Sequence, residues 1–298
     1  MVYDIIIVGA GCAGLTAAVY ASRAGKSVLI FEAEAVGGQI SASPKVENFP
    51  AIKQISGAEF SDNLFQQATS FGAEFKFEKV TKVIDGKIKT VFTSSGNHEC
   101  KNLIIATGLK HRKLGLENEA YFEGKGISYC AVCDGMFFKN GTVAVAGGGD
   151  SALVNALYLA NICKKVYLIH RRNEFRAEKF KVDEINGKAN VELLLCANIT
   201  QLKGDDFLKS VTIEDVNTKE KKTIELDGLF VSIGHTPDNE IFRDLIKLDS
   251  AGYIVAGEDC KTNVDCIFAS GDCRAKSLRQ LTTAAADGSV AAVSACSQ

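Results

Sequence analysis

The sequence predicts an α/β fold with two domains, because one strand, turn, helix, strand pattern occurs twice in the same register. The first copy covers residues 4–32 and the second covers residues 142–170. In each copy an apolar strand runs into a glycine-rich turn, which opens a helix that leads to a second apolar strand. This context distinguishes a dinucleotide-binding unit from an ordinary glycine-rich turn. We therefore expect two Rossmann-like domains of three layers each.

The first copy has glycines suited to a pyrophosphate and an acidic residue at the ribose position. Gly9, Gly11 and Gly14 let the backbone approach phosphate at the N-terminus of the helix. Glu32 ends the second strand, where a carboxylate accepts hydrogen bonds from an unphosphorylated adenosine ribose. That ribose occurs in both FAD and NAD, and we assign the first copy to FAD.

The second copy has the same kind of turn, formed by Gly147, Gly149 and Ala152, but its ribose end is basic. Four residues form this end: His170, Arg171, Arg172 and Arg176. Guanidinium groups make paired hydrogen bonds with phosphate, which suits the 2′-phosphate of NADPH. The second copy is therefore assigned to NADPH.

Length and composition favour a compact protein that acts on small molecules or other proteins. A chain of 298 residues is long enough for two domains. The net charge of −2 gives no indication of a nucleic-acid surface. The first strand begins within three residues of the N-terminus, and no apolar run is long enough to span a membrane, so we expect neither a signal peptide nor a membrane segment. We expect a cytoplasmic protein whose ten cysteines are mostly reduced.

One C-x-x-C pair stands apart from the other cysteines. Cys130 and Cys133 form this pair, and Asp134 follows it directly. Cysteines at this spacing close a small reversible disulfide and often have a lowered thiol pKa. A structural zinc site would need a second pair of ligands at a compatible spacing, which the sequence lacks. We predict a redox-active dithiol, with Asp134 either as the acid/base for the thiol proton or as a residue of the turn before Gly135.

The second domain is predicted to be inserted into the first. Residues 1–113 and 246–298 are assigned to a discontinuous FAD domain, and residues 116–243 to an NADPH domain that carries the dithiol. Flavin, dithiol and nicotinamide sites would then come close to one cleft, which indicates an electron relay. Two crossing segments also favour rotation of one domain against the other.

Further candidate flavin residues lie outside the first glycine turn. Gly38, Gln39 and Asn48 belong to a long excursion after Glu32 that could wrap the flavin. Asp272 follows a short apolar strand near the C-terminus, in a pattern similar to the second flavin-binding fingerprint of two-dinucleotide flavoproteins. This aspartate is expected near the ribityl chain.

Together these segments resemble the low-molecular-weight bacterial thioredoxin reductases over nearly the whole chain. The resemblance rests on the two glycine turns, the dithiol with Asp134, the basic ribose end, and four more segments: Gly37–Gln39, Gly234–Pro237, Gly271–Asp272 and Arg279–Gln280. Related flavoproteins of the alkyl hydroperoxide reductase type add an N-terminal thioredoxin-like domain, for which this chain has no room.

The resemblance implies a homodimer in which NADPH reduces FAD, FAD reduces the Cys130–Cys133 disulfide, and the dithiol reduces thioredoxin after the domains rotate. It also implies that Cys133 faces the flavin, that Cys130 attacks the thioredoxin disulfide, and that Asp134 is the acid/base. Arg279 and Gln280 are expected at the flavin on the same ground. The residues alone indicate a relay of three redox centres, but neither its order nor its protein acceptor.

Four positions depart from the family pattern and leave a second electron donor open: Cys12, Val154, Asn155 and Ala286. Val154 and Asn155 replace two acidic residues beside the expected nicotinamide site. Some flavin-dependent thioredoxin reductases take electrons from ferredoxin and have lost NADPH binding, usually together with the arginine cluster. Because this chain keeps that cluster, we favour NADPH, with ferredoxin as the alternative donor.

Two other functions are compatible with parts of the pattern. A flavin-bound redox sensor would use the dithiol without turnover, but it would need no donor site. A ferredoxin–NADP reductase of related fold would have no use for Cys130 and Cys133.

Overall fold

The computed structural model describes residues 1–43 and 45–298 and divides into two compact units. Unit 1 consists of Met1–Lys110 and Thr236–Gln298, and unit 2 consists of His111–His235. Unit 2 is thus inserted between the two parts of unit 1, and the prediction of an α/β fold is confirmed. Within the described residues, no helix combines the length and the apolar character that a membrane crossing requires.

The strands are, in chain order, β1 (Val2–Val8), β2 (Val28–Glu32), β3 (Glu74–Phe77), β4 (Val80–Ile84), β5 (Lys89–Thr93), β6 (Asn97–Ile105), β7 (Lys110–His111), β8 (Ile127–Ser128), β9 (Thr142–Ala146), β10 (Lys165–Ile169), β11 (Val191–Leu194), β12 (Ala197–Gly204), β13 (Leu208–Asp215), β14 (Lys221–Glu225), β15 (Gly228–Val231), β16 (His235–Thr236) and β17 (Ile267–Ala269). The α-helices are α1 (Cys12–Arg23), α2 (Gly57–Ser70), α3 (Glu119–Phe122), α4 (Ala131–Asp134), α5 (Asp150–Ala160), α6 (Lys179–Asn186) and α7 (Leu281–Cys296).

A seven-stranded sheet lies at the centre of unit 1. Its order is β3-β2-β1-β6-β5-β4, and β17 also pairs with β6. The strands β3, β2, β1, β6 and β17 pair in parallel, whereas the pairs β6–β5 and β5–β4 are antiparallel. Successive side chains of β1 alternate between the two faces. Ile5 and Ile7 pack with α1 and α7, while Ile6 and Val8 pack with residues of β4 and β5. Burial on both faces explains the unbroken apolar run of β1.

Unit 2 contains a five-stranded parallel sheet and a smaller antiparallel sheet. The parallel sheet has the order β11-β10-β9-β15-β8, and the antiparallel sheet has the order β12-β13-β14. Val143 and Val145 of β9 pack toward α5 and α6. Ala144 and Ala146, on the opposite face, pack with residues of the antiparallel sheet. The parallel sheet is therefore the middle of three layers.

The boundaries between the units differ from those drawn on the sequence. The structure divides at Lys110/His111 and at His235/Thr236, whereas the sequence analysis ended the first segment at 113 and began the last at 246. Phe242 and Ile246 are buried in the core of unit 1, which explains why the segment after Thr236 groups with that unit.

A buried ion cluster joins α7 to the turn that precedes it. Asp287 accepts two hydrogen bonds of 2.8 Å from the Arg274 guanidinium and one of 2.9 Å from Lys276 Nζ. Its Oδ2 atom also accepts the Gly271 N–H at 3.0 Å. Burial favours a raised pKa for Asp287, but the bonds from Arg274 and Lys276 outweigh it and hold the pKa below its usual value. The cluster therefore stays ionised at neutral pH.

We expect Asp287→Ala to lower the free energy of unfolding by about 3–5 kcal/mol, because it leaves Lys276 buried without its ion-pair partner and Arg274 with only the exposed Glu258, at 3.8 Å. Urea denaturation of the cofactor-free chain measures this loss. The depressed pKa makes the contribution of Asp287 fully present above about pH 4, and it fades as the pH falls through the folded-state pKa. Glu240→Ala is the control, since it breaks an exposed pair with Arg243 and should change little. Equal stability of the two variants would contradict the prediction.

Candidate functional site

At the carboxyl end of β1, the first glycine turn packs closely against the backbone of the segment that follows β6 and against the first turn of α1. Gly9 has a φ of +109°, and a Cβ there would overlap the carbonyl oxygen of Ala106. A Cβ on Gly14 would overlap the carbonyl oxygen of Gly9. A Cβ on Gly11, in contrast, would come no closer to a neighbour than 3.9 Å, to the carbonyl of Gly37. Gly9 and Gly14 are therefore required for packing, and Gly11 leaves space over the turn for a pyrophosphate.

Glu32 lies at the end of β2 with both carboxylate oxygens engaged by backbone. Oε2 accepts the Ala10 N–H at 2.8 Å, and Oε1 accepts the N–H groups of Ala33 and Glu34, each at 2.8 Å. These bonds hold the carboxylate beside the glycine turn. A carboxylate has about four acceptor sites, so Oε2 can still accept one hydrogen bond from a ribose hydroxyl.

The loop after Glu32 packs on the same turn. The Gly37 N–H donates to the Ala10 carbonyl at 2.8 Å, and a Cβ on Gly38 would lie 3.6 Å from the Cα atom of Gly11. Gln39 donates through Nε2 to the Leu109 carbonyl at 3.0 Å. Gly38 and Gln39 thus lie next to the glycine turn, as a loop around a dinucleotide requires.

Asp272 is a candidate ligand-binding residue of unit 1. Its Oδ1 atom is buried and has no hydrogen-bond partner among residues 1–43 and 45–298. Burial raises the pKa of this carboxyl group. A buried polar atom without a partner is costly, so a hydroxyl group of a bound molecule would stabilise it. The residues present therefore fit a polyhydroxylated group such as the ribityl chain of a flavin.

The remaining flavin candidates lie around the start of α7. Gln280 is the N-cap residue of α7, and its Oε1 atom accepts a hydrogen bond of 3.1 Å from Asn48 Nδ2. Arg279 donates through Nε to the Asp272 carbonyl at 3.3 Å and stacks on the ring of Tyr253. The structure thus brings Asn48, Gln280 and Arg279 to one place beside the Asp272 turn.

Cys12, which departs from the family pattern, is the first residue of α1 and lies against the start of α7. Its thiol contacts the Leu281 carbonyl at 3.6 Å. Burial raises its pKa to about 11, so the group is a neutral thiol at physiological pH. It fills space at the turn without adding charge.

The second glycine turn repeats the arrangement in unit 2. Gly147 has a φ of +149°, and a Cβ there would overlap the carbonyl oxygen of Ser232. Ala152 is fully buried against Gly147. A Cβ on Gly149 would meet no atom within 4 Å. Gly149 therefore corresponds to Gly11 as the open position of the turn.

His170 does not join the three arginines at the ribose end. Its buried ring lies against Gly148, where an added Cβ would overlap the ring, and stacks on Phe175. Nε2 lies 3.1 Å from the Glu174 carbonyl. Burial lowers the pKa of His170, and the neighbouring arginines lower it further. His170 is therefore a neutral packing residue that supports the turn in this structure.

Arg171, Arg172 and Arg176 are exposed around the second glycine turn. The Arg176 N–H donates to the Gly148 carbonyl at 2.7 Å, which ties the basic segment to the turn. Within the described part of the chain, none of the three guanidinium groups has an ion pair or a hydrogen bond. Unpaired guanidinium groups at this position can bind a phosphate group.

The dithiol is present as a disulfide between Cys130 and Cys133. Cys130 is half-buried and Cys133 is exposed. Ser128 Oγ accepts the Cys130 N–H at 3.0 Å, and the Cys133 N–H points to Cys130 Sγ at 3.1 Å. Asp134 ends the short helix α4 and is partly exposed.

A groove within unit 2, of about 1100 Å³, extends from Asp134. Its lining includes Ile127, Ser128, Phe137, Phe138, Phe207 and Asp227. Phe137 is 84% exposed, which is unusual for a phenylalanine. None of these residues is among the site residues predicted from the sequence, although Phe137 and Phe138, three and four positions after Asp134, are a visible signal.

Val154 and Asn155 lie on α5, beyond the second glycine turn. Asn155 donates through Nδ2 to Ser232 Oγ at 2.8 Å, and Val154 is exposed. The amide thus has a neutral partner within unit 2, and this helix face lacks the two carboxylates expected from the family pattern.

The chain is similar to known reductases along nearly its whole length. It matches the family model described as pyridine nucleotide-disulphide oxidoreductase over residues 3–288. A thioredoxin reductase of Listeria innocua is 42% identical over 293 residues, which cover 97% of this chain and 92% of that protein. The crystal structure of Lactococcus lactis thioredoxin reductase is 38% identical, with a TM-score of 0.92 and coverage of 98% and 97% of the two chains. A ferredoxin-flavin thioredoxin reductase from Clostridium acetobutylicum is 28% identical, with a TM-score of 0.54 and coverage of 99% and 97%.

Adjacent glycines of the second turn provide a matched test of the nucleotide site. Gly149→Ala should cost less than about 1 kcal/mol of stability but weaken binding of a nicotinamide dinucleotide, because its methyl group occupies the approach to the turn. Gly148→Ala should cost about 1–3 kcal/mol, because its methyl group displaces the His170 ring. Thermal unfolding and equilibrium titration measure the two effects separately. Unchanged nucleotide binding in Gly149→Ala would show that this turn does not hold a pyrophosphate.

Proposed function

Because the chain belongs to the pyridine nucleotide-disulphide oxidoreductases, and among them to the thioredoxin reductases, we propose that it passes electrons from NADPH through FAD and Cys130–Cys133 to thioredoxin. Membership of this family implies a flavin and a nicotinamide cofactor. The observation that carries the proposal is a disulfide between closely spaced cysteines in the same unit as a dinucleotide turn with unpaired arginines.

The two nucleotide assignments rest on the two ribose ends. In unit 1, the carboxylate of Glu32 and the buried oxygen of Asp272 suit FAD, whose adenosine ribose carries no phosphate. In unit 2, the basic residues around the turn suit the 2′-phosphate of NADPH. The guanidinium groups of Arg171, Arg172 and Arg176 supply the charge, and His170 supports the turn.

When bound, a nicotinamide dinucleotide would supply two electrons as hydride, and a flavin would make them available to the disulfide. Reduction of the Cys130–Cys133 bond yields a thiol and a thiolate, or two thiols if a second proton arrives. Asp134 directly follows Cys133 and can hold or release that proton. Following the family resemblance, we assign Cys133 to the exchange with flavin and Cys130 to the attack on the disulfide of the protein substrate.

The groove beside Asp134 is the proposed docking place of thioredoxin. It lies in the same unit as the disulfide, and Phe137 offers an exposed apolar surface at its edge. Exposed aromatic side chains next to a pocket are typical anchors of protein interfaces. A partner that presents its own disulfide on a protruding loop could seat that loop here.

Electron donation by ferredoxin is the less well supported alternative. The ferredoxin-flavin relative is more distant than the Lactococcus lactis enzyme in both identity and TM-score. The changes at Val154 and Asn155 favour the alternative, whereas the three unpaired arginines favour NADPH.

Homodimer formation and a cytoplasmic location are also proposed. Val290 and Val293 lie one turn apart on α7 and are exposed, while the opposite face of this helix packs on α1. A second copy of the chain could cover this apolar face, and sedimentation equilibrium measures the state directly. Eight cysteines are free within the described residues, which favours a reducing compartment.

Replacing Cys130 or Cys133 by Ser should separate the two halves of the relay. The thioredoxin reductase activity of each variant should be at least about 1000-fold lower than that of the wild type, because the disulfide can no longer form. NADPH oxidation with an artificial electron acceptor should persist, because it uses the flavin alone. Cys196→Ser is the control, since this cysteine is free in unit 2. Full thioredoxin reduction by the Ser variants would refute the role of the dithiol.

Replacing Arg172 and Arg176 together by Gln should raise KM for NADPH by about 100-fold, because two charged bonds to phosphate are lost. KM for NADH should change little, since NADH lacks the 2′-phosphate. Initial rates with an artificial acceptor measure both constants. Lys203→Gln removes another exposed cation of unit 2 and should leave both constants unchanged. A wild-type flavin that ferredoxin reduces and NADPH does not would contradict the donor assignment.

A further inference from the structure

Asn239 is a buried amide with a side chain bonded to three separate parts of unit 1. The residue is 2% exposed. Its Oδ1 atom accepts a hydrogen bond of 2.9 Å from Thr107 Oγ1. Its Nδ2 group donates to the carbonyl oxygens of Gly252 and Cys273, each at 2.9 Å. Both amide protons are therefore used, and the group joins three loops that no other side chain joins in this way among the described residues.

Each partner of Asn239 leads to a different part of the candidate flavin site. Thr107 follows Ala106, whose carbonyl lies directly over Gly9 of the glycine turn. Cys273 follows Asp272, the carboxyl group with the unpartnered oxygen.

Gly252 leads to the third part. It precedes Tyr253, and the guanidinium of Arg279 lies 4.1 Å from the centre of the Tyr253 ring. The side chain of Asn239 hydrogen-bonds to Thr107, Gly252 and Cys273 and to none of the candidate flavin residues named above, so we expect its effect on them to pass through these loops.

The residue before Asn239 connects the same segment to the adenosine end of the site. Asp238 pairs with Lys110 at 2.8 Å, and Lys110 also pairs with Glu34 at 3.1 Å. The Glu34 N–H in turn donates to Glu32. Residues 236–239 are therefore connected to both ends of the site. The exposed ion pair between Asp238 and Lys110 leads to the adenosine end, and the buried amide of Asn239 leads to Asp272.

We propose that Asn239 is a positioning residue for the flavin: it holds the Asp272 turn at a set distance from the glycine turn, so that the Asp272 carboxyl faces the bound molecule. The proposal rests on the proposed function in that FAD is the ligand. Only an amide can both accept from Thr107 and donate to two carbonyls. A carboxylate at this position would face the Gly252 and Cys273 carbonyls without a proton to donate.

The test compares affinities for FAD and for ADP in the full-length chain after removal of bound cofactor. ADP carries the adenosine diphosphate half of FAD, which we expect at the glycine turn and Glu32, and it lacks the ribityl chain proposed for Asp272. We expect Asn239→Asp to weaken FAD binding by at least about tenfold and ADP binding by less than about twofold. Loss of both affinities to the same degree would mean a general loosening of unit 1 and would overturn the proposal.

A second readout asks whether Asn239 acts through Asp272. Asp272→Ala and the double variant with Asn239→Asp are titrated with FAD in the same way. We expect the double variant to bind FAD about as weakly as Asp272→Ala alone, because the turn then has no carboxyl group to position. Multiplicative losses would show that Asn239 does not act through Asp272.

Two further variants keep the test decisive if Asn239→Asp does not fold. Thr107→Val removes the donor to Oδ1, together with the hydrogen bond between the Thr107 side chain and the Cys273 sulfur. It leaves both Nδ2 bonds of Asn239 in place and should weaken FAD binding more than ADP binding, by a smaller factor. Asn190→Asp is the matched control, since Asn190 Nδ2 also donates to two carbonyls, those of Ala160 and Cys163, in unit 2. If Asn190→Asp lowered FAD affinity as much as Asn239→Asp, the proposal would fail. Absence of FAD binding by the wild type would instead refute the cofactor assignment.

Discussion

In each unit, one glycine at the carboxyl edge of the sheet packs so closely on the backbone of a neighbouring segment that a side chain would not fit there. A Cβ on Gly9 would overlap the chain after β6, and a Cβ on Gly147 would overlap the chain after β15. Both helices, α1 and α5, can begin directly over their sheets only because these positions carry no side chain. Gly11 and Gly149 remain open at the starts of these helices, so different glycines of one turn meet the packing requirement and provide the space that the proposed nucleotide binding needs.

The parts of the site that the sequence predicts are those encoded within about 30 residues. The βαβ units, Glu32 and the dithiol depend on local patterns, and the structure forms each of them. Asn239 depends on Thr107, which is 132 residues away in the sequence, and nothing in the local pattern marks it. His170 shows a second reason why sequence-based prediction is limited. Its position in the sequence suggests ligand binding, but in the structure its ring is buried against Gly148.

Charged groups in the two units serve contrasting purposes. In unit 1, the Arg274 and Lys276 side chains are buried and form ion pairs with Asp287. These pairs neutralise the charges within the fold and hold α7 against the segment that contains Asp272. In unit 2, the guanidinium groups around the second turn are exposed and unpaired within the described residues. A cation cluster without counter-charges repels itself, and an anionic ligand relieves this repulsion. Burial and pairing thus distinguish the structural cations of unit 1 from the cations of unit 2 that are proposed to bind a ligand.

The local structure around the disulfide favours a reactive bond over a structural one. A disulfide stabilises a protein mainly by closing a loop in the unfolded chain, and the gain grows with loop length. Cys130 and Cys133 are three positions apart, so this gain is small. Hydrogen bonds that do not involve sulfur also hold the segment: the Cys130 N–H donates to Ser128 Oγ, and the Asp134 N–H donates to the Cys130 carbonyl. The bond can therefore open and close while α4 keeps its place, which is what repeated electron transfer requires of a dithiol.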